Sequence, residues 1–133
     1  MTNDNNGLVA IDLDNVEREL MVLALNEYAG SAQQGFELLA PVVGQSTQDE
    51  WGNYVFPLLA AINNKEPLSD LDWARALFLT EVGFASDLVG SGRRFGRQAD
   101  EYWITVLRSL QDKISNRDRY LLLRDHATYP YTS

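Results

Sequence analysis

Apolar residues recur at three- and four-residue spacing along most of this chain, and no stretch alternates apolar with polar as a half-buried strand requires. The longest run of the helical pattern is Pro67 to Gly92, PLSDLDWARALFLTEVGFASDLVGSG. Ser69 followed by Asp72 is an acidic variant of the capping box, and Gly90 can take the left-handed conformation that ends a helix. The pattern therefore predicts a helix over about 70–89, a rod about 30 Å long. At about 100° per residue, Leu71, Ala74, Leu77, Phe78, Val82, Ala85, Leu88 and Val89 form one broad apolar arc, widened by Trp73 and Phe84. Asp72, Ala76, Thr80, Gly83 and Asp87 fill the remaining strip. A helix apolar over most of its circumference is surrounded by others, so this one is expected at the centre.

Glu81 falls inside that arc. A buried carboxylate must be paired, hydrogen-bonded or protonated. Three readings stay open: a core acid satisfied by an internal partner, an acid with a raised pKa lining a pocket, or an acid simply exposed at a groove.

The remaining helices follow by the same signals. Asp14 with Glu17 starts a helix running to about Tyr28, with Glu27 on the face of Val16, Leu20 and Leu23. A shorter one spans Ser31 to Val43, weakened or broken at Pro41. Ser46 with Asp49, or Thr47 with Glu50, opens a helix from Gln48 to Ile62, where Pro57 predicts a kink or two short helices. A helix from about Asp100 to Ile114 turns Trp103, Ile104, Leu107, Leu110 and Ile114 inward and Glu101, Thr105, Arg108, Ser109 and Asp112 outward, with an Arg108–Asp112 pair. Ser115 with Asp118 starts a last short helix through Tyr120, Leu121 and Leu122.

The expected fold is thus all-α: a single compact domain of five to seven helices packed around a central buried helix. Residues 1–12 are expected to form a mobile polar N-terminus, 13–126 the helical domain and 127–133 an extended tail. A length of 133 residues with 45% hydrophobic content suits one core. The absence of cysteine removes disulfides, thiolate nucleophiles and cysteine-based zinc sites. No basic segment leads into an apolar run and no apolar run approaches about 18 residues, so neither a signal peptide nor a membrane span is expected, and the location expected is cytoplasmic.

The net charge of −8 is unevenly placed. Residues 1–66 hold ten acids against two bases, whereas residues 67–133 hold nine of each. The acidic half would steer a basic protein and repel nucleic acid, and Asp49 and Glu50 are candidate contacts for such a partner. The loop GSGRRFGR offers Arg93, Arg94 and Arg97, which with Glu81 form a candidate ligand or small-anion site. It lacks the Gly-Lys-Ser/Thr ending of a phosphate-binding loop, and its arginines could equally pair with Asp87 or Asp100. The lone histidine, His126, has no second ligand at metal-site spacing, so neither metal nor cofactor is expected.

The leading reading is a non-catalytic acidic helical protein-interaction module with a basic partner, in the manner of a bacterial immunity or antitoxin protein. The alternative is a small-anion or small-ligand sensor with a pocket near Glu81 and the 90–97 loop. An enzyme using Glu81 as acid or base ranks third. A homodimer through Trp51, Tyr54 and the Pro57 region is also open.

Overall fold

Capping signals read from the sequence set most of the helix starts. The computed structural model describes residues 7–29, 36–45, 47–86 and 100–127. Among these lie α1 (Asn15–Asn26), α2 (Phe36–Val43), α3 (Gln48–Asn63), α4 (Asp70–Ala85), α5 (Asp100–Ile114) and α6 (Arg117–Asp125). Asp14 and Glu17 form a complete capping box at α1, and Thr47 and Glu50 another at α3. Ser69 caps α4 through the Asp72 amide. At α6 the cap is Asn116, one residue beyond the expected Ser115, and its Oδ1 accepts from the Arg119 amide at 2.7 Å.

The fold is all-α and compact, with α4 packed against α1, α5 and α6. α1 also contacts α3 and α5, so α1 and α4 share the centre. Part of the N-terminal stretch expected to stay free up to residue 12 is fixed in place. Leu8–Val9 (β1) pairs antiparallel with Leu68–Ser69 (β2), and Trp73 donates its indole N–H to the Val9 carbonyl at 2.8 Å. Two-residue strands are too short to show an alternating pattern, so they were invisible in the sequence.

Both internal prolines sit inside helices that continue through them, so of the alternatives at Pro41 and Pro57 the break does not occur. In α3, Pro57 and Asn53 are exposed, so the carbonyl that Pro57 leaves without a donor can turn to water. The central helix ends at Ala85, short of the expected Val89. The loop carrying Arg93, Arg94 and Arg97 lies outside the described residues, as do Asp87, the end of the tail and the start expected for α2.

The face of α4 that packs against α1 is the narrow strip, not the broad arc. Ala76, Thr80 and Gly83 of the strip are buried, as are Trp73, Ala74, Leu77 and Phe84 of the arc, whereas Leu71, Phe78 and Val82 are half-buried and Ala85 is exposed. The cause is backbone proximity. A Cβ at Gly83 would stand 2.8 Å from the Ala24 carbonyl oxygen, so only small residues let α1 and α4 lie this close. Thr80, also buried, returns its hydroxyl to the Ala76 carbonyl at 2.8 Å, so it leaves no unsatisfied donor in the core.

Arg75 is buried on α4, unforeseen in the sequence. Its guanidinium lies over the Tyr54 ring at 5.3 Å and beside Gly44, where the carbonyl of His126 also approaches. Gly44 follows α2 and His126 caps α6, so the cation meets the negative ends of two helix dipoles as well as an aromatic face. Gly44 has φ +79° and no room for a Cβ, which would stand 2.8 Å from Arg75 Nη2. Gly44→Ala is expected to lower stability by about 1–2 kcal/mol through left-handed strain alone. Urea denaturation of the variant measures it.

Candidate functional site

One edge of the apolar arc of α4, where the core gives way to the surface, forms the floor of a groove. Ala74, Leu77, Phe78 and Glu81, spaced i, i+3, i+4 and i+7, face α6. α6 covers them thinly, since none of its residues is fully buried. Two hollows result, sharing Phe78, Tyr120 and Leu123. The first, of about 310 Å³, is closed at one end by Ile114, Ser115, Asn116 and Arg119. The second, of about 320 Å³, continues past Val42 to Arg124 and Ala127. Along α6 the lining residues Tyr120, Leu123 and Ala127 again follow helical spacing, and Tyr120 is 58% exposed.

Glu81 therefore stands at the edge of a hollow, half-buried, rather than within the core. Its Oε2 accepts a hydrogen bond from Gln111 Nε2 of α5 at 2.7 Å. No ion pair reaches it among the described residues. Arg119, the arginine of this hollow, is already engaged: its Nε donates to Asp70 Oδ1 and its Nη1 to the Ile114 carbonyl, each at 2.9 Å. Asp70 begins α4, eleven residues before Glu81, so the two acids stand about 16 Å apart along the helix. Arg124, at the far hollow, pairs with Asp125 at 2.9 Å.

The fully buried acid is Glu17, which sequence reading treated only as a capping residue. Its side chain is 2% exposed. Oε1 accepts from the Asp14 amide at 2.9 Å and from Lys113 Nζ at 2.6 Å, and Oε2 accepts from the Ser109 hydroxyl. Burial pushes this carboxyl up, but the hydrogen bonds from Lys113, Ser109 and the Asp14 backbone, with the charge of Lys113, outweigh it and hold the group below its ordinary value of 4.5. Ser109 and Lys113 lie one turn apart on α5, so Glu17 pins α5 to the start of α1. Ser109 is accordingly not the outward residue its spacing implied. Ile104, expected inward, is 44% exposed, and Arg108 bonds Gln111 at 2.8 Å instead of Asp112.

The remaining candidates separate. Asp49 and Glu50 are both exposed in the first turn of α3, and Glu50 is committed to the capping box. Glu27 lies in a short 3-10 turn after α1 and is half-buried. Trp51, offered as a dimer contact, is 3% exposed and packs edge-on against Tyr28 and Phe36. Tyr54 is half-buried and donates its hydroxyl to Asp72; burial first, and then that bond, raise its pKa well above the usual range for a phenol. His126 caps α6, with its ring nitrogen 2.9 Å from the Leu122 carbonyl.

Among the described residues no group of acids and histidine could hold a metal ion, and no helix is long and apolar enough to cross a membrane. Comparison with known proteins gives no match among family models, curated proteins or solved structures.

Proposed function

We propose that this chain is a non-catalytic protein-interaction module that receives an apolar segment of a partner in the groove between α4 and α6. The observation that carries the reading is the pair of adjoining hollows centred on Phe78, Tyr120 and Leu123, with a tyrosine more than half exposed on a helix that buries none of its residues fully. Amphipathic helices dock into such grooves through anchors at i, i+3, i+4 and i+7. The net charge of −8 favours a basic partner during diffusional approach. A partner held here is masked where it touches the groove, as an inhibitory or immunity role requires.

The small-anion reading has less support. The arginine in the first hollow is bound to Asp70, and Glu81 repels an anion at the same opening. The catalytic reading would need a second reactive group paired with Glu81, and among Ser115, Asn116, Tyr120 and that engaged arginine none is bonded to it.

An amphipathic peptide of about 12 residues, with leucines on one face and glutamines elsewhere, is a suitable probe. Its titration should shift the amide NMR signals of Phe78, Tyr120 and Leu123 and spare those of Asp49 and Glu50. Leu123→Asp should remove the shifts. Perturbations confined to the start of α3, or none anywhere, would overturn the groove as the contact.

A further inference from the structure

The shielded acids near this groove and along α1 and α4 differ in one respect, their access to a cation. Glu17 holds Lys113, and Asp70 holds Arg119. Asp72 accepts from Tyr54, whose ring lies under the Arg75 guanidinium. Glu81 holds only the neutral amide of Gln111, which fixes one carboxylate oxygen and leaves the other, Oε1, with no partner among the described residues. A carboxylate at the edge of an apolar hollow loses part of its hydration, and its attraction for an approaching cation is strengthened in the same measure. The two arginines that line the groove are held by Asp70 and Asp125, and neither bonds Glu81.

We infer that Glu81 is the specificity-determining residue of the groove: the partner segment carries a lysine or arginine next to its apolar anchors, and that cation pairs with Glu81 Oε1. This rests on the groove being the docking surface. Gln111 acts as a positioning residue. By holding Oε2 at 2.7 Å it leaves Oε1 to the incoming cation and removes the rotamer freedom that would otherwise be lost on binding. Charge complementarity decides the occupant: apolar anchors fill the hollows on either side of Phe78, and the single cation answers the single unpaired acid.

The test uses the full chain and three peptide series built on the Leu/Gln probe. One glutamine beside the leucine face is replaced in turn by lysine, by glutamate or by norleucine, and affinities are measured by NMR titration. At one position the lysine peptide should bind about fivefold tighter than the parent, and the glutamate peptide more weakly. Glu81→Gln, which keeps the size and an oxygen able to accept from Gln111, should abolish the lysine gain, so that the lysine peptide and the parent peptide bind this variant alike. Gln111→Ala should reduce the gain without reversing it. If every series binds like the parent, or the lysine gain survives in Glu81→Gln, the role of Glu81 is wrong while the groove stands. If no peptide, neutral or charged, shifts Phe78, Tyr120 or Leu123, the groove itself is wrong and this inference falls with it.

Discussion

Gly83→Val is expected to destabilise the protein by about 3 kcal/mol, at the upper end of typical overpacking effects. The added Cβ would meet the Ala24 carbonyl oxygen at 2.8 Å and the carbonyl carbon at 3.3 Å. Both belong to the backbone of α1, so relief requires moving a whole helix against a packed core, not turning a side chain. Gly83→Ala is the finer measurement. Helix propensity alone would make it stabilising by about 1 kcal/mol, and the overlap should reverse that sign. Gly52 in α3 provides the contrast. There a Cβ would find only the Phe56 ring, at 3.7 Å, an ordinary contact. Gly52→Ala is therefore expected to stabilise by about 0.5–1 kcal/mol. Opposite signs in urea denaturation for these two helical Gly→Ala changes would establish the close α1–α4 contact; equal signs would refute it.

The second large effect belongs to Glu17. Glu17→Ala is expected to lose about 3 kcal/mol, combining a cap arm of about 1 kcal/mol with hydrogen bonds to a charged group worth about 1.5–3 kcal/mol. Lys113→Met should lose less. It leaves the carboxylate its two neutral donors, and the ammonium it removes is 37% exposed, where solvent already weakens the pair. The same site sets an acid limit. Because the folded protein holds the Glu17 carboxyl below 4.5, the unfolded chain takes up the proton first as pH falls. The contribution of Glu17 is complete above pH 4.5 and disappears as pH drops through the lower folded value. Glu17→Gln should accordingly show a flatter fall in unfolding midpoint on the acid side than the unmodified chain. Parallel curves would mean that Glu17 is not the group responsible.

This arrangement changes how the acidic half can be tested. Reversing charge at Asp49 and Glu50 would disturb the start of α3 as well as any partner contact, because Glu50 closes the capping box with Thr47 and both acids favour the helix N-terminus. Glu19, exposed on α1, carries negative charge without a capping duty, so Glu19→Lys is the cleaner test of whether the acidic half speeds association with a basic partner.

Local signals in the sequence determined the helices and most of their starts, because a cap involves residues three apart and an amphipathic face involves residues three or four apart. They also determined that the 70–85 segment has more apolar surface than one packing face can use. Tertiary structure decided which side of that helix went inward. The strip was turned to α1, where Gly83 lets the α1 backbone approach, and of the arc Trp73, Ala74, Leu77 and Phe84 are buried too while Phe78 and Val82 stay half-buried. That rotation moved Glu81 from the core to the edge of a groove. The buried acid, Glu17, sits 92 residues from Ser109 and 96 from Lys113. No local spacing connects partners so distant, and only the packing of α5 on α1 does.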